Sequence, residues 1–185
     1  MKKIIALTGG ISSGKSAAAA AFKKAGAFVI CADKLAAKHF DANAAKIQKY
    51  FKTAERKKIA QIIFKNAAKR KRLENLLHPL ILKEAQALIK KSPAQTIVFD
   101  APLLFEAGLQ KSFDFILCIY CAQKTRLKRT SFTPADFAAR EAAQIPLELK
   151  AAKSDFVIYN EGSKKELQQK VSKLCKLINE DNNGK

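Results

Sequence analysis

The chain has 185 residues, of which 48% are hydrophobic and 28% charged, and its formal net charge at pH 7 is +19. This length fits one domain with a substantial core and argues against two full domains. The composition is typical of a globular protein and argues against long disorder. No apolar run reaches the roughly 18 residues that a membrane span needs. Because the first apolar run leads into a glycine-rich stretch rather than a cleavage site, we expect a cytoplasmic protein.

Five short apolar runs are predicted to be β-strands. They are nearly continuously apolar rather than alternating, which is typical of strands covered on both faces. Stretches of helical character separate them, so the order predicts an α/β fold in which a five-stranded parallel sheet carries helices on both sides. We expect a single domain over residues 1–185. The predicted strands are residues 3–8, 27–31, 95–99, 113–120 and 155–159.

A glycine-rich loop follows the first predicted strand. Residues 9–16 read G-G-I-S-S-G-K-S, which matches the phosphate-binding loop pattern G-x-x-x-x-G-K-[ST] (P-loop), and a helix is predicted directly after it. In such a loop the backbone amides and the helix N-terminus surround phosphate groups, Lys15 reaches the outer phosphates and Ser16 can ligate Mg²⁺. The alternative is a chance glycine-rich turn. The residues expected to bind the nucleotide are Gly10, Ile11, Ser12, Ser13, Gly14, Lys15, Ser16 and Ala17.

Polar residues also follow three of the other predicted strands: Asp33, Asp100 and the segment from Asn160 to Gly162. Because the carboxyl ends of parallel strands form the crevice where ligands bind, we expect these groups to meet the P-loop at one edge of the sheet. Asp33 is either an acid near the terminal phosphate or the N-cap of the next helix. Asp100 either helps to orient the metal ion or caps a turn.

Two insertions interrupt the strand order. The first, over about 34–92, is predicted to be helical and contains His78, for which a purely structural role is the alternative to a catalytic one. The second, over about 122–153, is expected to form a lid. It contains Arg140 and Gln144, whose spacing of four residues predicts one helix face. An arginine over the nucleotide could neutralise charge on the transferred phosphoryl group, and a solvated helix face is the alternative.

Cys118 and Cys121 form a C-x-x-C pattern at the end of the fourth predicted strand, with Cys118 inside the strand and Cys121 directly after it. A zinc site needs about four ligands, and no second Cys or His pair stands at a suitable spacing. We therefore expect reduced thiols in a buried strand, with a metal or redox role as the alternative.

Seven segments, taken together and in order, resemble the dephospho-CoA kinase family. They are ALTGGISSGKS, ADKLA, ERKKIAQIIF, RLENLLHPLI, DAPLLFEAGL, REAAQIPLELK and SDFVIYNEGS, and they run through nearly the whole chain. The P-loop alone identifies only a superfamily, whereas the segments H-P-L-I and D-x-P-L-L-F-E are far more specific.

The resemblance implies ATP-dependent phosphorylation of the ribose 3′-hydroxyl of dephospho-CoA, giving CoA and ADP. It also implies a three-layer P-loop kinase fold with a helical CoA-binding insertion and a lid. Asp33 would be the base, Lys15 and Ser16 would handle the ATP phosphates and Mg²⁺, and Arg140 would close over the phosphates. Asp100 is expected beside Ser16 at the metal. Asn160 and Gly162 are expected to contact the nucleotide, and the expected acceptor-binding residues are Asp33, His78, Pro79, Leu103 and Glu106.

The chain departs from the usual family pattern at four positions: Ser12 where glycine is common, Ala17 where threonine is common, Cys31 in place of the first aspartate of D-A-D, and Ala37 in place of an arginine. Another small P-loop kinase acting on a nucleoside, nucleotide or sugar remains an alternative. So does a nucleic-acid-binding protein, which the net charge and the basic run at 65–72 suggest. The expected partners are ATP and dephospho-CoA, with no nucleic acid and no membrane, and we expect a monomer.

Overall fold

The computed structural model describes residues 2–180, so most of the C-terminal segment 179–185, which its polar composition predicts to be frayed, lies outside the described residues. Five strands form one sheet in the order β2-β3-β1-β4-β5. The predicted parallel sheet is therefore confirmed, and each strand begins and ends within two residues of its predicted bounds. The strands are β1 (Lys3–Gly9), β2 (Phe28–Cys31), β3 (Thr96–Asp100), β4 (Phe115–Tyr120) and β5 (Phe156–Tyr159).

The register of the sheet sets the position of the site. Strand β1 lies between β3 and β4, and it pairs with both in parallel, with Leu7 opposite Asp100 and Gly9 opposite Ile119. The carboxyl ends of the three central strands therefore meet at one edge. The loop after β1 and the carboxylate that ends β3 share that edge.

Helices connect and flank the strands. The long ones follow from alanine-rich or amphipathic runs, and basic residues in the last turn of α1 and α5 complement the helix dipole. The helices are α1 (Lys15–Lys24), α2 (Ala32–Ala42), α3 (Ala44–Phe51), α4 (Arg56–Lys65), α5 (Ala67–Lys91), α6 (Gln123–Arg129), α7 (Pro134–Ala142), α8 (Leu147–Ala152) and α9 (Lys164–Glu180).

The chain divides into two compact units, and the larger comprises residues 1–30 and 93–185. On one face of its sheet, Leu7, Leu117 and Ile119 pack in a buried cluster with α1 and α9. Side chains alternate between the two faces of a strand. Helix α8 packs against β1 and β4, and the charge of its buried Lys150 acts on the Cys118 thiol of β4. Helices on both faces make the three layers expected from continuously apolar strands.

The smaller unit comprises residues 31–92 and consists of α2 to α5. Its longest helix, α5, buries Leu73, Leu77, Ile81 and Ala85, which recur every four residues along one face. The side chain of Asn66 caps this helix by accepting from the Lys69 amide at 2.9 Å. The three helices of the other insertion, α6 to α8, lie within residues 122–153. None of the helices formed by residues 2–180 combines the length and apolarity of a membrane-spanning segment.

Candidate active site

The P-loop between β1 and α1 has a backbone that only specific residues can adopt. Gly14 has φ +95°, and a Cβ at this position would lie 2.2 Å from Nδ2 of Asn160. Gly9 has φ +155°, and its Cβ would lie 2.7 Å from the Ile119 carbonyl oxygen. Both positions therefore need glycine for conformation and for space. Ser12, one of the four departures from the family pattern, also has a positive φ of +57°.

Lys15 is the first residue of α1, and its ammonium donates to a carboxylate oxygen of Asp100 at the end of β3. Both side chains are largely buried, at 14% and 11% exposure. Ser16 follows in the first helical turn and is exposed. The structure thus brings together Lys15 and Asp100, which were predicted to meet at the carboxyl edge of the sheet.

Asn160 directly follows β5 and is buried behind the loop. Its side-chain Nδ2 donates to the Ser13 carbonyl at 2.8 Å, and its backbone amide donates to the Tyr120 carbonyl at 2.8 Å. Sequence reasoning predicted that Asn160 contacts the nucleotide. In the structure its side chain supports the P-loop, which explains why the space beside Gly14 is filled.

The segment after β5 is held to the start of the lid by charged groups. Arg129 donates to the carbonyls of Asn160 and Gly162, each at 2.9 Å. Glu161 accepts from the Ala122 amide at 2.6 Å and from the Thr125 hydroxyl at 2.7 Å. Both hydrogen bonds lower the pKa of Glu161, and the one from the Ala122 amide has the larger effect.

Arg126, on α6, lies beside the P-loop and was not predicted from the sequence. It is 3% exposed, its Nε donates to the Cys121 carbonyl at 2.9 Å, and its guanidinium forms an ion pair with Glu141 of α7. One terminal nitrogen lies 3.5 Å from the carbonyl oxygen of Ile11 in the P-loop. A usable signal existed, because α6 begins three residues after a strand whose carboxyl end lies at the ligand edge.

Lys150, on α8, was also missed. It is only 1% exposed, and its ammonium donates to the carbonyl of Pro102 at 2.8 Å and to Oε1 of Gln144 at 2.9 Å. It also lies 2.9 Å from a carboxylate oxygen of Glu106, which in addition accepts from the Ile145 amide at 3.0 Å. Glu106, predicted to bind the acceptor, thus connects the segment after β3 to the lid.

The predicted helix face shared by Arg140 and Gln144 is wrong. Helix α7 ends at Ala142, so Gln144 lies beyond it and its side chain turns to Lys150. Ala143 is the C-cap of α7 and Pro146 is already the N-cap of α8, so Gln144 lies in the short connection between the two helices. Arg140 is exposed near the end of α7, and its guanidinium lies 4.3 Å from the centre of the Phe132 ring.

The remaining predicted residues lie as follows. Leu103 is 49% exposed in the turn after β3. Within the helical unit, His78 is half-buried on α5 and Pro79 is exposed inside the same helix. Asp33 is exposed in the first turn of α2, whose N-cap is Cys31, so the capping alternative for Asp33 is wrong by two positions. A carboxylate in a first turn still interacts favourably with the helix dipole.

The CIYC pattern forms part of β4 and its end, where Cys118 and Cys121 are buried free thiols. Burial raises the pKa of the Cys118 thiol to about 12. Among residues 2–180, no three His, Cys, Asp or Glu side chains form a group that could hold a metal ion. The burial of both thiols agrees with structural cysteines in and directly after a buried strand.

Comparison with known proteins gives a consistent family. The family model described as dephospho-CoA kinase matches residues 3–166. The curated dephospho-CoA kinase of Aquifex aeolicus is 32% identical over 194 residues, covering 97% of this chain and 99% of the relative. That of Enterococcus faecalis is 34% identical over 190 residues, covering 94% and 96%.

Solved structures agree with this result. A protein from Thermus thermophilus superposes with a TM-score of 0.87 at 27% identity, covering 94% of this chain and 96% of that chain. A dephospho-CoA kinase from Campylobacter jejuni superposes with a TM-score of 0.72 at 30% identity, covering 98% and 100%. A shikimate kinase from Aquifex aeolicus, at 17% identity and a TM-score of 0.51 over 98% and 99%, shares the fold alone.

Proposed function

The chain belongs to the dephospho-CoA kinase family, and we propose that it transfers the terminal phosphoryl group of ATP to the ribose 3′-hydroxyl of dephospho-CoA, giving CoA and ADP. The observation that carries the proposal is the P-loop between β1 and α1, with Lys15 paired to the carboxylate that ends β3. The family match over residues 3–166 supports the choice of acceptor.

The P-loop residues Gly10 to Ala17 bind the phosphates in this proposal. Successive backbone amides and the N-terminus of α1 supply partial positive charge, and the ammonium of Lys15 contributes a full charge. When a triphosphate enters, Lys15 gains a second anionic partner besides Asp100. Arg140, on the exposed side of α7, closes over the phosphates. Gly162 contacts the nucleotide, whereas Asn160 acts through the Ser13 carbonyl of the P-loop, to which its side chain donates.

An ATP-dependent kinase family implies a divalent metal ion, and we infer that it is Mg²⁺. The Ser16 hydroxyl and the Asp100 carboxylate are the hard oxygen ligands that suit this ion. Mg²⁺ usually takes few protein ligands and keeps waters and substrate phosphates, which fits a site with two protein oxygens. When bound, the ion would neutralise negative charge on the phosphates.

Asp33 is the proposed general base. Its carboxylate accepts the proton of the 3′-hydroxyl as that oxygen attacks the terminal phosphoryl group, and ADP leaves. We further propose that His78, Pro79, Leu103 and Glu106 contribute to acceptor binding. We propose that the enzyme is a monomer and that it acts in the cytoplasm.

An acceptor screen tests the proposal. Purified protein is incubated with Mg²⁺ and ATP labelled at the terminal phosphate, and dephospho-CoA, nucleosides, nucleoside monophosphates and sugars are offered separately. We expect label in CoA alone, and we expect Lys15→Ala to lose at least about 10²-fold of this activity. Lys24→Ala, an exposed lysine at the other end of α1, is the matched control and should retain activity. Transfer to one of the other acceptors only would contradict the proposal.

A further inference from the structure

The guanidinium of Arg126 lies against the beginning of the P-loop. One terminal nitrogen is 3.5 Å from the Ile11 carbonyl and 3.3 Å from the point that a Cβ on Gly10 would occupy. The side chain is nine-tenths buried or more, and it lies 5.3 Å from the centre of the Phe137 ring. Its position is therefore determined by contacts with neighbouring residues, and little of it is open to solvent.

A small pocket is lined by this guanidinium, by the P-loop and by other residues of the lid. Its walls include Gly10 and Ile11 from the P-loop and Arg126, Glu141 and Lys150 from the lid. The pocket thus holds two buried cations beside a phosphate-binding loop. The anionic partner that the structure gives Arg126 is Glu141, whose carboxylate is 30% exposed and also accepts from Nε2 of Gln123 at 3.0 Å.

Arg126 has donor capacity that its present partners do not use well. Its Nε is satisfied by the Cys121 carbonyl and one terminal nitrogen by Glu141, but the contact with Ile11 is long for a hydrogen bond. A guanidinium presents five N–H donors in a planar fork, and this geometry matches phosphate oxygens.

We propose that Arg126 is a further triphosphate-binding residue, and that Glu141 is its counter-ion until the nucleotide arrives. The inference rests on the proposed function, because it requires ATP in the P-loop. On binding, the phosphates compete with Glu141 for the guanidinium. Glu141 belongs to α7, which also carries Arg140, so the exchange releases the helix that bears the proposed lid arginine.

This exchange predicts opposite effects of the two partners on nucleotide affinity. Arg126→Met removes a charge-assisted contact and should raise the Kd of ATP about tenfold. Glu141→Gln leaves a buried guanidinium without its counter-ion, which increases its attraction for phosphate, and should lower the Kd about threefold. A merely structural ion pair would weaken binding in both variants.

The experiment measures the Kd of Mg²⁺-ATP by calorimetry for the wild type, both variants, Arg126→Lys and the control Lys128→Met. Lys128 is exposed on the same helix, so its variant loses the same charge and should keep the wild-type Kd. Arg126→Lys keeps the charge without the fork and should fall between the wild type and Arg126→Met. Circular dichroism identifies any variant that fails to fold, and the Glu141→Gln arm still tests the proposal in that case.

The combined variant separates exchange from simple repulsion between Glu141 and ATP. If Glu141 acts through Arg126, the gain from Glu141→Gln disappears in the Arg126→Met background. An equal gain in both backgrounds, or weaker ATP binding by Glu141→Gln, would overturn the exchange while leaving the proposed function intact. A wild-type protein that does not bind ATP would overturn both.

Discussion

Lys15 and Asp100 form an ion pair that joins the first residue of α1 to the last residue of β3. Because Leu7 of β1 is the register partner of Asp100, this carboxylate lies at the edge from which the P-loop leaves the sheet. The pair holds the lysine charge in place before any phosphate is bound. It also places the Asp100 oxygen that is proposed to bind the metal against Lys15, the residue that precedes Ser16.

Asp100→Asn should weaken metal binding more than it slows the reaction. The variant keeps a hydrogen-bond acceptor for Lys15 but loses the negative charge that attracts a divalent cation. We expect the Mg²⁺ concentration for half-maximal activity to rise about tenfold, since loss of one ligand-shell group typically costs about 10- to 100-fold in metal affinity. Asp114→Asn, which affects the acceptor of the Ile4 amide before β4, is the control. Equal metal titrations for the two variants would argue against a metal role for Asp100.

Gly14→Ala should damage the P-loop by a steric clash rather than by backbone strain alone. The new Cβ would meet Asn160 at 2.2 Å, whereas Gly26 has a similar φ of +88° and nothing within 4 Å of its Cβ position. Gly26→Ala therefore measures the cost of the left-handed backbone, about 1 kcal/mol. We expect Gly14→Ala to lose more stability than this in urea unfolding and to lose ATP binding.

The pair Gly14→Ala with Asn160→Ala checks the cause. Removing the amide opens the space for the methyl group, so the second change should recover part of the lost stability. If the double variant is as unstable as the sum of both single variants, the clash does not account for the need for glycine.

Local patterns in the sequence predicted the strands and the P-loop. Both depend on short-range features: apolar runs of four to seven residues, and a loop whose glycines must adopt positive φ. The edge rule for parallel sheets then predicted that Asp100 would meet Lys15. It is the topology, not the spacing of 85 residues, that joins them.

The buried cations of the lid could not be predicted in the same way. The chain has 35 lysines and arginines, and the local surroundings of Lys150 in LELKAAK resemble those of exposed lysines. Its partners lie six residues away at Gln144 and 44 residues away at Glu106, so no local period marks it. The helix face predicted for Arg140 and Gln144 was wrong for a similar reason, because a spacing of four residues does not show that α7 ends at Ala142.

Lys150→Met should lower the stability of the fold. The change leaves the Glu106 carboxylate without its buried cation and removes donors from Pro102 and Gln144. Breaking a buried pair by removing one partner costs about 3 kcal/mol or more. The exposed Lys153, three residues along, provides the control Lys153→Met, which should change the free energy of unfolding by less than about 0.5 kcal/mol. Similar urea midpoints for the two variants would contradict the role given to Lys150.

The cysteines should resist alkylation in the native protein. Burial raises the pKa of Cys118 to about 12 and that of Cys175 to about 11, and the Cys121 thiol also has a raised pKa, first because of burial and then because of Glu161. At pH 8 these thiols are protonated, and the thiolate is the reactive form. Mass spectrometry after brief iodoacetamide treatment should find label first on the half-buried Cys31, and on all four cysteines in urea.

The same shifts have a consequence for stability. Unfolded thiols ionise near pH 8.5 whereas the native ones keep their protons, so the native state binds more protons in alkali. The free energy of unfolding should therefore decline as the pH rises above about 9 toward the native pKa values.

In the alkylation experiment, early labelling of Cys118 at pH 8 would show that β4 opens more readily than its burial indicates.

Asp33→Asn tests whether this carboxylate is the base or only supports its helix. Asn cannot accept a proton at neutral pH, so loss of general-base catalysis should lower kcat by about 10²-fold or more while leaving the KM for ATP nearly unchanged. Loss of a first-turn carboxylate alone would cost about 0.3–1 kcal/mol of helix stability and leave kcat unaffected. Asp41→Asn is the matched control, because Asp41 is an exposed carboxylate on the same helix that pairs with Arg56. Steady-state kinetics with dephospho-CoA and thermal unfolding of both variants separate the two roles, and a normal kcat for Asp33→Asn would exclude Asp33 as the base.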